Sequence, residues 1–444
     1  MENYQATIDQ IISFLTQYRF LIDSQLTATF IPDYFSEIPE EWINYLLSFD
    51  YHQLIQLPKI LDQITLPSLH RFISDIISLS PNYPHYSDQF ETSKFECYFM
   101  NPKKVHECKK LARFIFEKSI NLGLDRIIDI GAGQGYLSHL LVTKGNLKVT
   151  AIEAKDHNSH QSEKRGKFIR RKMKKEEADY NTISLFVTPD NLINYTQDPC
   201  ILTGLHTCGD LSATCIKAFL SDTNIKGMIN VGCCYEHITE YINPCAQELV
   251  EKYLEHIGKS YTGRNLDESL NKSDEKAGFP LSNYIKITYP CFFLGRIAKK
   301  LAMSEVSLIE NPEKTFKQLD FRAAFQVLLG EAYPEKSNVF CIGQGVKKYT
   351  DFRDFVSKSF LKIGLENPYR DDNLNEMYEI RFRDQEKKAA IIWSLRSLMG
   401  GLIENLILLD RAKYLSENSV NTEIFSIFDK TLSPRNLALY SWKN

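Results

Sequence analysis

The sequence predicts a doubly wound α/β fold with a helical N-terminal module and a large helical insertion before the last two strands. Three observations predict it. Short apolar runs alternate with helical stretches from residue 126 to residue 232, the pattern of a parallel sheet. The first run, RIIDIG, empties into a glycine-rich turn. The chain closes with an amphipathic segment, LIENLILLDRAKYLSEN, and two apolar runs around a Ser433-Pro434-Arg435-Asn436 turn, which read as a helix and a hairpin added to the sheet edge.

Each element can be justified in order. Over residues 1–95, apolar positions such as Ile8, Ile11, Ile12 and Leu15 recur at helical spacing, and Pro32, Pro39, Pro58, Pro67, Pro81 and Pro84 cut the stretch into short helices. No catalytic pattern is found there, and a role in recognition is expected. Residues 96–240 form the core. Its strands are RIIDIG, KVTAIEA (148–154), ISLFV (183–187), ILTGLH (201–206) and GMINVG (227–232). Between them lie YLSHLLVTKG, a charged helix, and a helix over 211–221. Right-handed crossovers between such strands build one continuous sheet, so the fold is Rossmann-like. Residues 241–400 are mostly helical and enter at the carboxyl edge of the sheet, where they are expected to act as a substrate-facing lid, with a structural cap as the alternative. Residues 401–444 supply a helix and the strands FSIFD and LALYSW, the last antiparallel to its neighbours.

Composition narrows the function classes. The chain has 444 residues, a formal net charge of -3 and a pI near 6.4, so any nucleic-acid surface must be local. Ten cysteines form no CxxC pair, which excludes zinc-ribbon spacing and a disulfide scaffold. A reduced, intracellular protein is expected. The stretch MENYQATIDQIISFL lacks the basic start of a leader, and no apolar run approaches the ~18 residues that span a bilayer. Cytoplasm or nucleus, without a membrane partner, is the resulting expectation.

The sharpest motif is Asp129-Ile130-Gly131-Ala132-Gly133-Gln134-Gly135. Glycines at the end of a first strand let the backbone turn tightly and approach a ligand. The helix that follows presents free amides and a positive dipole end to a carboxylate. Glu153, twenty residues after Gly133, ends the second strand, where an acid reaches the ribose hydroxyls of an adenosine. A dinucleotide fold wants GxGxxG, but Tyr136 stands where its third glycine belongs. Asp129 would repel a pyrophosphate and welcome the amino group of a methionyl moiety. The expected cofactor is therefore S-adenosyl-L-methionine, held by Asp129, Gly131, Ala132, Gly133, Gln134, Gly135 and Glu153, with Asp190 near the adenine edge and His206 at the border of the site.

The fourth strand ends in His206-Thr207-Cys208-Gly209-Asp210 and the fifth in Cys233-Cys234-Tyr235-Glu236. Ligands of such sheets bind outside these carboxyl ends. His206, Cys208, Asp210, Cys233, Cys234, Tyr235 and Glu236 are thus expected to converge on the transferring methyl group. Three chemistries compete: a base (His206, Asp210 or Glu236) acting on a hydroxyl or nitrogen acceptor, a cysteine attacking a pyrimidine ring, or a metal held by the histidine and cysteines. The plain alternative is that the cysteines are small buried hydrophobes, and no metal ligand is assigned. The [DN]-P-P-[FY] tetrapeptide that serves amino-group methylation of adenine is replaced by LHTC.

The stretches MNPKKVHE (100–107), DIGAGQGYLS (129–138), TGLHTCGDLS (203–212), VGCCYE (231–236), GFPLS (278–282), LDFRAAF (319–325), LILLDRAKYL (406–415) and LSPRNLAL (432–439) together resemble the methyltransferase-like protein 25 family. The resemblance implies a class I methyltransferase sheet and a methyltransferase whose acceptor is poorly defined. LHTCGD and GCCYE also look distantly like tRNA 2'-O-methyltransferases, whose N-terminal zinc modules are missing here. MNPKKVHE departs from the family pattern at Asn101 and should pass over the cofactor mouth, where Lys103, Lys104 and His106 could meet an anionic substrate.

EKRGKFIRRKMKKEE places Lys164, Arg165, Lys167, Arg170, Arg171, Lys172, Lys174 and Lys175 close together, able to grip phosphates or simply to form a solvated face. Lys299, Lys300, Lys347 and Lys348 add isolated pairs. The expected acceptor is RNA, at a 2'-O or ring position rather than adenine N6. A protein acceptor and a non-catalytic adaptor are the alternatives.

Overall fold

The computed structural model describes residues 4–30, 35–87, 100–145, 147–173, 180–258, 270, 273–303, 309–335, 346, 348–369 and 373–443. Seven strands form one sheet: β1 (Arg126–Ile130), β2 (Lys148–Glu153), β3 (Tyr180–Ser184), β4 (Cys200–Cys208), β5 (Ile225–Cys233), β6 (Asn421–Ser426) and β7 (Leu437–Trp442). Their order is β3-β2-β1-β4-β5-β7-β6. The first five strands pair in parallel, and β7 runs antiparallel to both β5 and β6.

Burial on both faces explains why these strands read as continuous apolar runs. Successive side chains point to opposite faces, so Ile127, Val149, Ile201 and Ile229 pack under one helical layer, while Ile128, Ile152, Leu202 and Met228 pack under the other. The first layer contains α2 (Pro102–Leu122) and α3 (Tyr136–Gly145). The second contains α5 (Asp210–Ser221) and α8 (Gly400–Glu417), which leaves α4 (Asp156–Met173) beside β2 and β3. Helix α2 begins where the Asn101 side chain accepts from Lys104 N at 2.8 Å, with Pro102 at its first position. It ends at Gly123, whose φ of 65° suits a left-handed cap.

Two strands differ from the sequence reading. β3 spans Tyr180–Ser184 instead of 183–187, because its partner β2 ends at Glu153, opposite Ser184. Past that point there is no ladder to join, and Phe186 lies exposed. β6 spans Asn421–Ser426 instead of 425–429 for a similar reason: β7 pairs with 421–426, and Ile427 and Phe428 turn inward as core residues of the connecting loop.

Residues 4–79 are not packed apart from the sheet domain. The apolar stripe of α1 (Tyr4–Gln17), Ile8, Ile11 and Leu15, is buried in the same core as Leu402, Leu406 and Leu409 of α8. Asp9 accepts from Tyr284 and Tyr289 of the insertion at 2.7 and 2.8 Å. The insertion also has a core of its own, in which Phe321 and Phe325 of α6 (Pro312–Ala332) pack edge-on or tilted against Phe352, Phe355, Phe360 and Tyr378. Finally, α7 (Glu386–Leu398) and α8 together form a run long and apolar enough to cross a membrane, contrary to the sequence reading, but 78% of its most apolar window is buried inside the fold.

Candidate functional site

The glycine loop leaves β1 through three left-handed residues, Gly131 (φ 67°), Gly133 (φ 57°) and Gly135 (φ 73°). Its base is fixed to β2, since Gly131 N and Ala132 N both donate to the Ile152 carbonyl. A Cβ at Gly135 would lie 2.0 Å from Ser162 Oγ, so that glycine is demanded by packing against α4. A Cβ at Gly133 would meet nothing within 4 Å. Gly133 therefore borders open space, and the loop is not plugged by side chains there.

Glu153 reaches this loop. One carboxylate oxygen accepts from Gly133 N at 2.9 Å and the other from Lys155 N at 3.0 Å. The cradle and the acid fit an adenosyl methionine: a bare backbone facing space, with a carboxylate at its rim. Asp129 stands behind the loop, 1% exposed, and accepts from the Ser138 hydroxyl. Burial pushes its carboxyl up to about 7 against the opposing Ser138 bond. Gln134 is held by Arg165, which donates to its carbonyl and, at 3.3 Å, to its side-chain amide oxygen. Asp190 lies exposed in the first turn of the short helix Pro189–Leu192, capped by Thr188.

The ends of β4 and β5 carry two strained residues, His206 at φ 64° and Cys234 at φ 49°. His206 is the extra residue of a bulge: Leu205 faces Val231 and Thr207 faces Gly232, with His206 unpaired between them. The bulge aims its ring at α2, where Nε2 donates to Glu107 at 3.2 Å. Glu107 is 3% exposed, and its other oxygen accepts from Ser433 Oγ at 2.6 Å. Burial works to raise this carboxyl, but the His206 and Ser433 bonds and the charges of His206 and Lys103 outweigh it and hold it below the usual carboxylate range. Glu107 is thus an anion that fixes the imidazole by one nitrogen and leaves Nδ1 for other work.

Three of the predicted cysteines meet. Cys208 and Cys233 are registered across β4 and β5 with Sγ atoms 3.3 Å apart, and Cys234 Sγ lies 3.6 Å from that of Cys233. The Cys233 thiol, shared toward Cys208, pulls Cys208 down from its ordinary value, while Cys233 itself is pushed up.

Other predicted residues are committed elsewhere. Asp210 accepts from Thr239 N and Thr239 Oγ1, both at 2.8 Å, and so closes the loop after β5 instead of facing an acceptor. Tyr235 is buried, donates to Glu404 Oε1 at 3.0 Å, and is raised well above its ordinary value by burial. Glu236 sits at the rim, 3.6 Å from the exposed ring of His237. His106 is turned to the β6–β7 loop, where Nε2 accepts from Asp429 N at 2.9 Å, and burial lowers its pKa. Lys104 lies over the Tyr136 ring at 4.4 Å, with Arg165 against the same ring at 3.7 Å. Lys103 alone of that trio remains half exposed, 3.7 Å from Glu107. On α4, Lys164, Lys167 and Arg171 are exposed, whereas Arg165 is a loop clamp. Lys174 and Lys175 lie outside the described residues, as do the side chains of Arg170 and Lys172 and the whole of Lys347. Lys299 is no surface cation but pairs with Glu240 at 3.0 Å, both fully buried.

Sequence reasoning missed Glu107 and Ser433 as site residues. Both lie within quoted stretches, MNPKKVHE and LSPRNLAL, and only folding brings them together across 326 residues.

A sheet ordered 3-2-1-4-5-7-6, with a glycine loop after β1 and an acid ending β2, is the arrangement of a class I methyltransferase domain. Residues 103–241 match the family described as "Methyltransferase domain". The chain is similar to methyltransferase-like protein 25, as the sequence motifs implied. It is 27% identical over 284 residues to the human protein named probable methyltransferase-like protein 25, covering 62% of this chain and 43% of that one. The mouse protein of the same name is 26% identical over 310 residues, covering 67% and 47%. The chain thus spans under half the length of these relatives. The solved plantazolicin methyltransferase BamL, in complex with a triazolic desmethylPZN analog and SAH, overlaps at a TM-score of 0.23 with 14% identity, covering 67% of this chain and 86% of that one.

Proposed function

We propose that this chain methylates RNA at a ribose 2'-O or ring position, with His206 as the base and Glu107 as the residue that positions it. The observation that carries the reading is the His206–Glu107 pair: a buried carboxylate fixes one imidazole nitrogen of a residue that a bulge projects from the carboxyl end of β4. The donor, when bound, supplies an electrophilic methyl group on a sulfonium. Gly131, Ala132, Gly133, Gln134 and Gly135 would provide the backbone cradle, and Glu153, at the rim of that cradle, would receive the ribose hydroxyls. With the donor bound, His206 Nδ1 would take the acceptor's proton as the methyl passes from sulfur to the acceptor's oxygen or nitrogen, the carbon–sulfur bond breaking to leave a neutral thioether, and Glu107 would stabilise the imidazolium that results. Because the methyl is already activated, holding the acceptor in line contributes most of the acceleration.

The RNA assignment is supported by exposed Lys164, Lys167 and Arg171 on α4 and by half-exposed Lys103 beside Glu107. Incubation with methyl-labelled donor, total RNA and total protein tests it. Label in RNA that falls as salt rises is the expected outcome. Label confined to protein refutes the RNA acceptor, and donor binding without transfer to either pool would instead mark a non-catalytic adaptor.

A further inference from the structure

Three thiols converge where strand geometry alone would separate them. Along an extended strand, neighbouring side chains point to opposite faces. Cys233 and Cys234 are neighbours, yet their sulfurs lie 3.6 Å apart, because Cys234 adopts a left-handed conformation at φ 49° and folds back. Similarly, the extra residue at His206 shifts the phase of β4, so that Cys208 comes into register with Cys233. Both non-glycine residues in left-handed conformations at this edge of the sheet therefore serve the same convergence.

We propose that Cys208, Cys233 and Cys234 form a zinc site with an open fourth position at the carboxyl ends of β4 and β5. All three Sγ atoms lie within 4.8 Å of one another. Tetrahedral zinc with ~2.3 Å bonds to sulfur places its sulfurs about 3.8 Å apart, and the two closest separations here are 3.3 and 3.6 Å. Thiolates are soft ligands and select zinc over magnesium or calcium. Among the described residues, no histidine nitrogen or carboxylate oxygen joins the three sulfurs in that cluster, so the protein supplies three ligands, as in sites that keep a position for water or an acceptor. Exposure falls from Cys208 through Cys234 to buried Cys233, which gives the site a solvent side and a closed side. The second thiol pair, Cys245 and Cys291, is exposed, joins no third sulfur among the described residues, and provides an internal control.

The test uses the full chain, stripped with a chelator under reducing conditions and reloaded with zinc or cobalt(II) alone. One zinc per chain by elemental analysis is expected. It should be lost in Cys208→Ser and in Cys233→Ser and retained in the Cys245→Ser/Cys291→Ser double variant. Cobalt in the wild-type chain should show sulfur-to-metal charge-transfer bands of tetrahedral thiolate coordination, a readout that needs no variant to fold. Absence of zinc uptake, loss of zinc in the control variant, or a Cys208–Cys233 disulfide found in place of metal would overturn the proposal. Calorimetric titration of the stripped chain with S-adenosylhomocysteine keeps the two conclusions apart, since the donor site should bind with or without zinc.

Discussion

Alanine substituted at two neighbouring glycines of the loop should separate folding from ligand binding. Gly135→Ala forces an L-residue to φ 73°, which costs on the order of 1 kcal/mol. It also drives a Cβ to 2.0 Å from Ser162 Oγ and 2.8 Å from Tyr180 Oη, two hydroxyls that bond each other. Ser162 is fully buried and cannot yield, so overpacking of ~1–3 kcal/mol and a strained or broken buried hydrogen bond of about 1 kcal/mol add to the backbone term. The total, roughly 3–5 kcal/mol, is a large share of the ~5–15 kcal/mol that holds a domain together. Gly133→Ala carries only the backbone cost of about 1 kcal/mol, because its Cβ would meet nothing within 4 Å. That Cβ would instead occupy the space kept for the donor, and a loss of about 100-fold in affinity, near 2.7 kcal/mol, is expected. Urea denaturation gives the first quantity and calorimetric titration with S-adenosylhomocysteine the second. Equal destabilisation by the two variants, or unimpaired binding by Gly133→Ala, would refute the reasoning.

Three further predictions follow from the same geometry. Glu107→Gln keeps the shape of the pair but removes the anion that faces His206; kcat should fall by about 10²-fold or more with the affinity for S-adenosylhomocysteine unchanged, and an equal loss in both would mark a merely structural residue. Arg165→Ala frees Gln134 and uncovers Tyr136, so stability should drop by about 1–3 kcal/mol in urea and the loop amides should exchange faster. Asp320, 1% exposed, has both oxygens unbonded, and burial pushes its carboxyl up to about 9 from 3.8. The folded state therefore holds a proton that the unfolded state releases: this group's contribution to stability is fully present below pH 3.8 and is lost as pH rises to about 9. At pH 7 the penalty is roughly 4 kcal/mol. Asp320→Asn should flatten the slope of unfolding free energy between pH 5 and 9, and an unchanged slope would exclude the carboxyl as its source.

The fold was legible where one physical cause acted alone. RIIDIG, the glycine turn and LALYSW are governed by burial and backbone freedom, and the strands stand where those causes put them. ISLFV was misplaced because the end of β3 is set by how far β2 extends, which a local pattern does not contain. The site divided in the same way. Cys208 and Cys233 lie on parallel neighbours and come into register through the bulge at His206, which spacing does not reveal, and the direction of each remaining side chain depends on partners far away. Asp210 turns to Thr239, Tyr235 to Glu404 and His106 to Asp429, and none of these pairings leaves a trace in spacing. Glu107 was hidden for the converse reason: as one acid in a charged helix start, only its burial beside His206 distinguishes it.

The placement of α8 has a consequence for how the chain is made. The Tyr4 hydroxyl donates to the carbonyl of Thr422, a contact that spans 418 positions, and the apolar stripe of α1 rests on a helix that begins at Gly400. During synthesis at ~5–20 residues per second, the first helices emerge tens of seconds before the surface that shelters them. Ile8, Ile11 and Leu15 must spend that interval uncovered, and so must the face of β5 that awaits β7. A nascent chain of this design depends on being shielded until α8 and β7 clear the ribosome, and a message cut short before then would yield a sticky, unfinished product.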